Sequence, residues 1–386
     1  MVKTIAVAMV MAAESALNES RADITPVLAV GGPIELFENV PSSISHAYDL
    51  KDDAGAQMAC VHVQAARSPN VWGGDTYYGL YQSLVGNEFQ VRLASSADLM
   101  HWRFRRTLIA NADMPFVARP PPATAAQLRA GAPAALRSTE SDGWIVLAHE
   151  QWMTPGSRAP SQLGFKLYYN ESELLAGVHF NSFVAPLSVG AKRKLEGTPS
   201  LYSTALVQRD GLWMIDADVG FHFNDDAGID QVAQASLSSF GPTTVQPALS
   251  RQTRADRYDD LFISRGAVGN LGQRAPGILQ GTHLVAQEGN IGHMPPTIWQ
   301  DWRVWLYFFA PGEGDTPTGA SQNVTMLNIT THGGSTAFGN PSWTMLPCPS
   351  SPSSSSLCLF VSYFLFSEGA APGEAGVCAF VQQLQD

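Results

Sequence analysis

Short runs of Val, Ile, Phe, Tyr and Trp, each closed by Gly, Pro, Asp or Asn, recur along the whole 386-residue chain. Long amphipathic helical windows are nearly absent; only Ala123 to Leu136 and Glu171 to Gly177 carry a modest helical pattern. That balance reads as an all-β chain. One unit recurs: a strand followed by a polar turn, in Phe89 to Trp102, Phe165 to Leu174, Gln231 to Phe240, and Val324 to Thr330 with Trp343 downstream. The spacing of about 70 residues suits a four-stranded blade with long loops. Such a sheet cannot bury both of its faces alone, so copies of it stack radially around an axis.

The expectation is therefore a five-bladed β-propeller with a central pocket, its blades at residues 43–102, 103–173, 196–240, 256–289 and 293–343. A single domain spans residues 21–346. The Pro/Ser tract and apolar run of residues 347–386 form either a closing strand or an irregular tail. Residues 1–20 have the shape of a secretory signal: Lys3, then the short apolar run Thr4 to Ala13, with small residues at Ala12 and Ala16. That run is too short to span a bilayer, and no transmembrane helix is expected in the body of the chain. A secreted or endomembrane location follows if the signal is real. Asn18, Asn170, Asn323 and Asn328 each begin an N-glycosylation triplet.

A formal charge of -11 disfavours nucleic acid and anionic membrane as partners, because both reward Lys and Arg. Aromatic side chains make up 10% of the chain and suit packing between sheets or the flat faces of sugars. The four cysteines, Cys60, Cys348, Cys358 and Cys378, contain no CxxC pair, so no zinc site is expected. Cys60 reads as a buried thiol, and Cys348 and Cys358 flank a tract that a disulfide would close. There is no G-x-S-x-G elbow, P-loop or H-E-x-x-H. Gly269 to Arg274 follows no βα pattern, and Asn224 to Gly228 lacks the distal Glu of an EF-hand, so the latter reads as a hairpin turn. No cofactor or metal is implied.

The candidate site begins at Glu196. A carboxylate there meets Gly197, Pro199 and a run of β-formers, which returns through Arg209-Asp210-Gly211 into Leu212-Trp213-Met214-Ile215. A carboxylate at the first residue of a strand sits at a sheet's rim, within reach of a ligand. His149-Glu150-Gln151-Trp152 ends the apolar run from Trp144. His293 opens its proposed blade as Glu196 opens another, with Trp299 close behind. Asp216 and Asp218 interrupt an apolar run and read as structural carboxylates.

The five-blade count, the phrase Ala94-Ser95-Ser96-Ala97-Asp98-Leu99-Met100-His101-Trp102, and Glu196-Gly197 before a strand-turn-strand unit resemble the five-bladed propeller glycosidases. These are glycoside hydrolase family 43 and its invertase-like relatives; the resemblance covers scattered motifs from about Ser43 to Ala310. It implies hydrolysis of an oligosaccharide or polysaccharide in the central pocket, the alternative being a non-catalytic carbohydrate-binding or interaction propeller. In that family the general acid is a Glu before Gly-Pro at an inner strand start, which Glu196 matches apart from the intervening Thr198. The family's base is an Asp at the first blade's inner strand. Here either Asp49 or His46 occupies that slot, and Glu150 is the tuning acid or a second candidate acid. Trp152, Trp299 and His293 would line the sugar pocket. Inverting enzymes hold the two carboxyls roughly 6.5–9.5 Å apart to admit a water.

Overall fold

The computed structural model describes residues 32–120, 143–155, 157–189, 194–224, 230–241, 247–252, 274–279, 282–292, 299–308, 324–349 and 356–384. The chain divides into two units, Met1–Leu36 and Phe37–Asp386. Of the first, residues 32–36 are described and are helical. The possible signal segment and Ala123 to Leu136 lie outside the described residues.

The second unit is a five-bladed β-propeller. Blade 1 is β2 (Ala59–Ala65), β3 (Tyr77–Val85), β4 (Glu88–Ser96) and β5 (Arg103–Ala110). Blade 2 is β6 (Ala112–Ala118), β7 (Ile145–Thr154), β8 (Ser157–Tyr168) and β9 (Asn181–Val184). Blade 3 is β10 (Glu196–Arg209), β11 (Leu212–Asn224), β12 (Asp230–Phe240) and β13 (Ala248–Gln252). Blade 4 is β14 (Arg274–Leu279), β15 (Thr282–Asn290), β16 (Trp302–Phe308) and β17 (Thr325–Met326). Blade 5 joins the chain's two ends: β18 (Phe338–Pro347), β19 (Leu357–Leu365) and β20 (Gly376–Gln383) pair in order, and β1 (Ser45–Ala47) adds to the outer edge of β20. The first strand of each blade is innermost: β2, β6, β10, β14 and β18 pack against one another in a closed ring.

This closure differs from the sequence-based division. Residues 43–47 belong to the last blade rather than the first, and the fifth blade runs on through Gln383. Pairing of Ser45 with Val381 joins residues more than 300 positions apart, which no local pattern records. A propeller gains by it, since a blade built from both ends of the unit ties the ring shut, with short outer edges left on each blade.

Apolar cores fill the gaps between blades. Trp144, Val146 and Phe165 of blade 2 meet Leu201, Ile215 and Phe221 of blade 3. Val61 and Tyr81 of blade 1 meet Phe360, Ala379 and Val381 of blade 5. Trp102 and Trp213 are buried there, as expected of rings packed between sheets. The recurring turn phrase is explained by its hydrogen bonds. Asp98 accepts from the backbone N–H groups of Met100 and His101, and Trp102 Nε1 donates to Leu99 O at 2.9 Å. The indole then lies over Gly79, where a Cβ would touch it.

Local expectations hold in several other places. Asp210 and Gly211 both take positive φ and link β10 to β11 by the two-residue turn that an Asp-Gly pair favours. Helix α1 (Glu171–Ala176) starts at Asn170, whose side chain accepts from Glu173 N, and ends at Gly177 in the left-handed region. Asn170 is thus engaged as a helix cap, whereas Asn328 is exposed. Asp216 forms a bidentate pair with Arg209, and Asp218 accepts from Ser203 Oγ, so both are structural. Cys348 and Cys358 form a disulfide across the β18–β19 connection, while Cys60 and Cys378 are buried thiols. Among the described residues, no helix is long and apolar enough to cross a membrane.

Candidate active site

The inner strands share a local irregularity that shapes one end of the ring. In β2, β6, β10 and β18 the pairing register slips near the strand start, between Ala59 and His62, Asp113 and Phe116, Gly197 and Ser200, and Gly339 and Ser342. At each slip one non-glycine residue has positive φ: Cys60, Met114, Thr198 and Asn340. These are β-bulges, which bend a strand and re-aim its side chains. Two of them share a sequence signature, Gly197-Thr198-Pro199-Ser200 and Gly339-Asn340-Pro341-Ser342, and a third shares its proline, Asp113-Met114-Pro115. Proline is tolerated there because a bulge already interrupts the ladder.

Three of the four bulges turn a backbone N–H toward the preceding blade, where a second-strand side chain accepts it. Met114 N donates to Gln82 Oε1 (3.0 Å), Thr198 N to Glu150 Oε2 (3.0 Å), and Asn340 N to Glu288 Oε2. Where the acceptor is a carboxylate, the residue before the positive-φ position is glycine. A Cβ on Gly197 would overlap the Glu150 carboxylate, and one on Gly339 would press on Glu288 and Phe366. Glu150 and Glu288 are therefore equivalent groups in blades 2 and 4, held by the same device.

These residues line a cavity of about 980 Å³ at the bulged end of the ring. Its walls carry the carboxylates Asp49, Asp113, Glu150, Glu288 and Glu368, against Lys51 and His222 as basic groups. Asp113 and Glu150 are direct cross-strand partners, so both point to the same face. Trp152 Nε1 donates to Asp113 Oδ1 at 3.1 Å, so each member of the pair has a fixed donor. On the blades 4 and 5 side, Trp299, Trp302 and Phe366 form an aromatic cluster: the ring centroids of Trp299 and Phe366 are 5.0 Å apart with planes 20° apart. Trp299 is 44% exposed at this wall.

The sequence-derived candidates divide accordingly. Glu150, Asp49, Trp152 and Trp299 line the cavity. Trp152 does so from a buried position, 5% exposed, instead of standing partly exposed at the mouth. Its ring is covered by Phe89, with centroids 5.0 Å apart. Asp49 sits at the rim, paired with Lys51 Nζ at 2.5 Å and Gln57 Nε2 at 3.0 Å. Glu196 does not join them. It is fully buried, and its Oε1 accepts from Ser188 N (2.8 Å) and Val189 N (2.7 Å), which ties down the connection entering blade 3. Of the residues read as acid and base, Asp49 lines the cavity, Glu196 faces the connection at Ser188 and Val189, and His46 lies on an outer strand.

His46 lies on β1, the outermost strand of blade 5, where it is exposed and stacks on His332 with centroids 4.5 Å apart. Its pKa is lowered by partial burial and by the neighbouring His332. His293 lies outside the described residues. His149, next to Glu150, points to the opposite face; burial pushes it down to about 3, so it stays neutral. Among the described residues, no cluster of three or more His, Cys, Asp or Glu could hold a metal ion.

Sequence reasoning missed Asp113, Glu288, Trp302 and Phe366. The signal for Asp113 was present in Asp113-Met114-Pro115, an acid shortly before a proline where an inner strand begins. The repeated Gly-x-Pro-Ser would have placed two bulges, but their carboxylate partners lie on other strands.

No family model matches the sequence, and no curated protein matches it. Solved structures of family-43 glycoside hydrolases are among those the fold is similar to. The crystal structure of a thermostable family-43 glycoside hydrolase aligns at a TM-score of 0.49 and 10% identity, over 88% of this chain and 93% of that one. An alpha-L-arabinofuranosidase from Lactobacillus brevis aligns at 0.44 and 9%, over 86% and 91%. A native arabinanase from Bacillus subtilis aligns at 0.45 and 10%, over 86% and 96%.

Proposed function

We propose that the bulged-end cavity takes a saccharide chain and hydrolyses a glycosidic bond in it. The observation that carries this reading is one cavity that holds buried carboxylates on different blades together with a partly exposed aromatic cluster. Flat rings stack on sugar faces, and carboxylates accept sugar hydroxyls. The acid–base pair is drawn from the cavity wall, with Asp113 and Glu150 on blade 2 and Glu288 on blade 4. The acid role thereby moves from Glu196 to Glu150, since Glu196 is committed to two backbone amides. Asp49 at the rim and Trp299 contact the chain on entry, and Trp152 orients Asp113. Hydrolysis needs one carboxyl to protonate the leaving oxygen and a second carboxylate to activate water or attack the sugar carbon.

A second reading, a carbohydrate-binding propeller without turnover, is favoured by one specific feature. Ala59, Gly197 and Gly339 hold the positions in blades 1, 3 and 5 that Asp113 holds in blade 2, so three equivalent sites carry no acid. Product release from a panel of plant and algal polysaccharides separates the two readings. Release that falls by about 10²–10⁴-fold in Glu150→Gln with binding retained supports hydrolysis. Binding without release by the wild type supports the second reading.

A further inference from the structure

The four N-glycosylation triplets divide on the structure. Asn18 and Asn323 lie outside the described residues. Asn170 is held in a helix start: its side chain accepts from Glu173 N at 2.9 Å, and Glu173 Oε2 accepts from Tyr169 N at 2.9 Å. That reciprocal pairing is a capping arrangement, and Ser172 falls inside the helix. Asn328-Ile329-Thr330 lies instead in extended chain just after β17. Met326, Asn328 and Thr330 are exposed, while Leu327, Ile329 and Thr331 are buried. Such alternation puts residues i and i+2 on one face, so the amide and the hydroxyl of the triplet both point outward.

The backbone of the triplet is fixed in the folded ring. Asn328 N donates to Glu38 Oε1 at 2.6 Å, Thr330 N to Glu38 O at 2.7 Å, and Val40 N to Thr330 O at 3.2 Å. Thr330 Oγ1 also donates to Glu38 O, at 3.2 Å. None of these bonds uses the Asn328 carboxamide, so a substituent on it leaves this seam intact. β18, β19 and β20, which close the ring, follow the triplet in the chain. The triplet is therefore synthesised before its folded setting exists, with its hydroxyl still open. A disulfide such as Cys348–Cys358 persists in an oxidising compartment, the setting in which these triplets are glycosylated.

We propose that Asn328 carries an N-linked oligosaccharide and that Asn170 does not. The donor class is an oligosaccharide linked through pyrophosphate to a lipid. The Asn328 amide nitrogen bonds to the anomeric carbon of the sugar, the bond from that carbon to the pyrophosphate oxygen breaks, and the amide gives up one proton as the lipid pyrophosphate leaves. On the folded ring the glycan stands beside Met326, which is 44% exposed on β17, the outermost strand of blade 4. The modification is independent of the saccharide cavity and of whether that cavity hydrolyses its ligand.

Expression of the full chain in a eukaryotic secreting cell tests the proposal. Enzymatic release of N-linked glycans converts the asparagine that bore one into aspartate, which peptide mass mapping locates. Conversion at position 328 and none at position 170 is expected. Asn328→Gln and Thr330→Ala should each lose the mass of one glycan from the intact protein. Thr330→Ser, which keeps the hydroxyl, should retain it. Mapping of the wild type decides the question even where a variant fails to fold. A chain kept in the cytosol without glycan, a secreted chain with Asn328 unmodified, or conversion at Asn170 overturns the proposal.

Discussion

Replacing Gly197 by Ala tests the bulge device directly. Gly197 does not have positive φ, so alanine meets no backbone strain there. The cost is steric, because the new methyl would overlap the Glu150 carboxylate. That carboxylate cannot simply swing away, since Glu150 Oε2 holds Thr198 N at 3.0 Å in a buried setting. Overpacking costs about 1–3 kcal/mol, and losing a hydrogen bond to a charged group about 1.5–3 kcal/mol. A destabilisation of about 3–5 kcal/mol is expected on those terms. Glu150→Ala alone leaves Thr198 N unpaired, for about 1–3 kcal/mol. In that background Gly197→Ala has nothing to overlap and should cost under about 1 kcal/mol, since alanine also lowers the entropy of the unfolded chain. The double-mutant cycle, read by urea unfolding, should show a coupling energy of about 2–5 kcal/mol in the compensating direction. Additive effects, or a Gly197→Ala protein as stable as the wild type, would refute the reasoning.

Four further outcomes are expected. Glu196→Gln should keep one acceptor for Ser188 N and Val189 N and leave any hydrolysis within a few-fold of wild type, whereas a drop of about 10² or more would return the general-acid role to Glu196. Stability should fall on acidification: His62 and His149 are pushed down to about 3 by burial, so the unfolded chain takes up their protons first as pH drops below about 6.5. Each then costs about 2 kcal/mol at pH 5, a loss that urea midpoints at pH 7 and pH 5 measure and that a His62→Phe, His149→Phe pair should lack. Reducing the Cys348–Cys358 disulfide, which closes a short loop, should lower stability by about 3 kcal/mol in thermal unfolding, with the ring intact. Trp299→Ala should weaken saccharide affinity by about tenfold without moving thermal stability, because the ring is 44% exposed.

Much of the architecture was written in local chemistry that a sequence exposes. Asp210-Gly211 dictates a tight hairpin, Asn170 and Gly177 bracket a helix, and the Ser96 to Trp102 phrase folds on its own hydrogen bonds before its indole is buried. Alternating β-formers with no helical windows leave stacked sheets as the way to bury both faces, and the spacing counts five of them. Burial of Cys60, Trp102 and Trp213 followed from the apolar runs around them.

The site was decided elsewhere. Whether a carboxylate faces a cavity depends on a bulge that flips side-chain direction by one position, and period-2 reasoning through a bulge puts the wrong residue inside. Glu196 looked like the rim acid because it opens a strand, yet the slip after Gly197 leaves Thr198 on the cavity wall and Glu196 facing a loop. Glu288 and Glu150 are equivalent only because each reaches across an inter-blade gap to a backbone amide of the next sheet. His46 moved to an outer edge because β1 completes the blade formed by the other end of the chain. The contacts of Glu150, Glu288 and β1 join residues from about 50 to more than 300 positions apart. They arise from ring closure, a property of the assembled sheets that no segment carries alone.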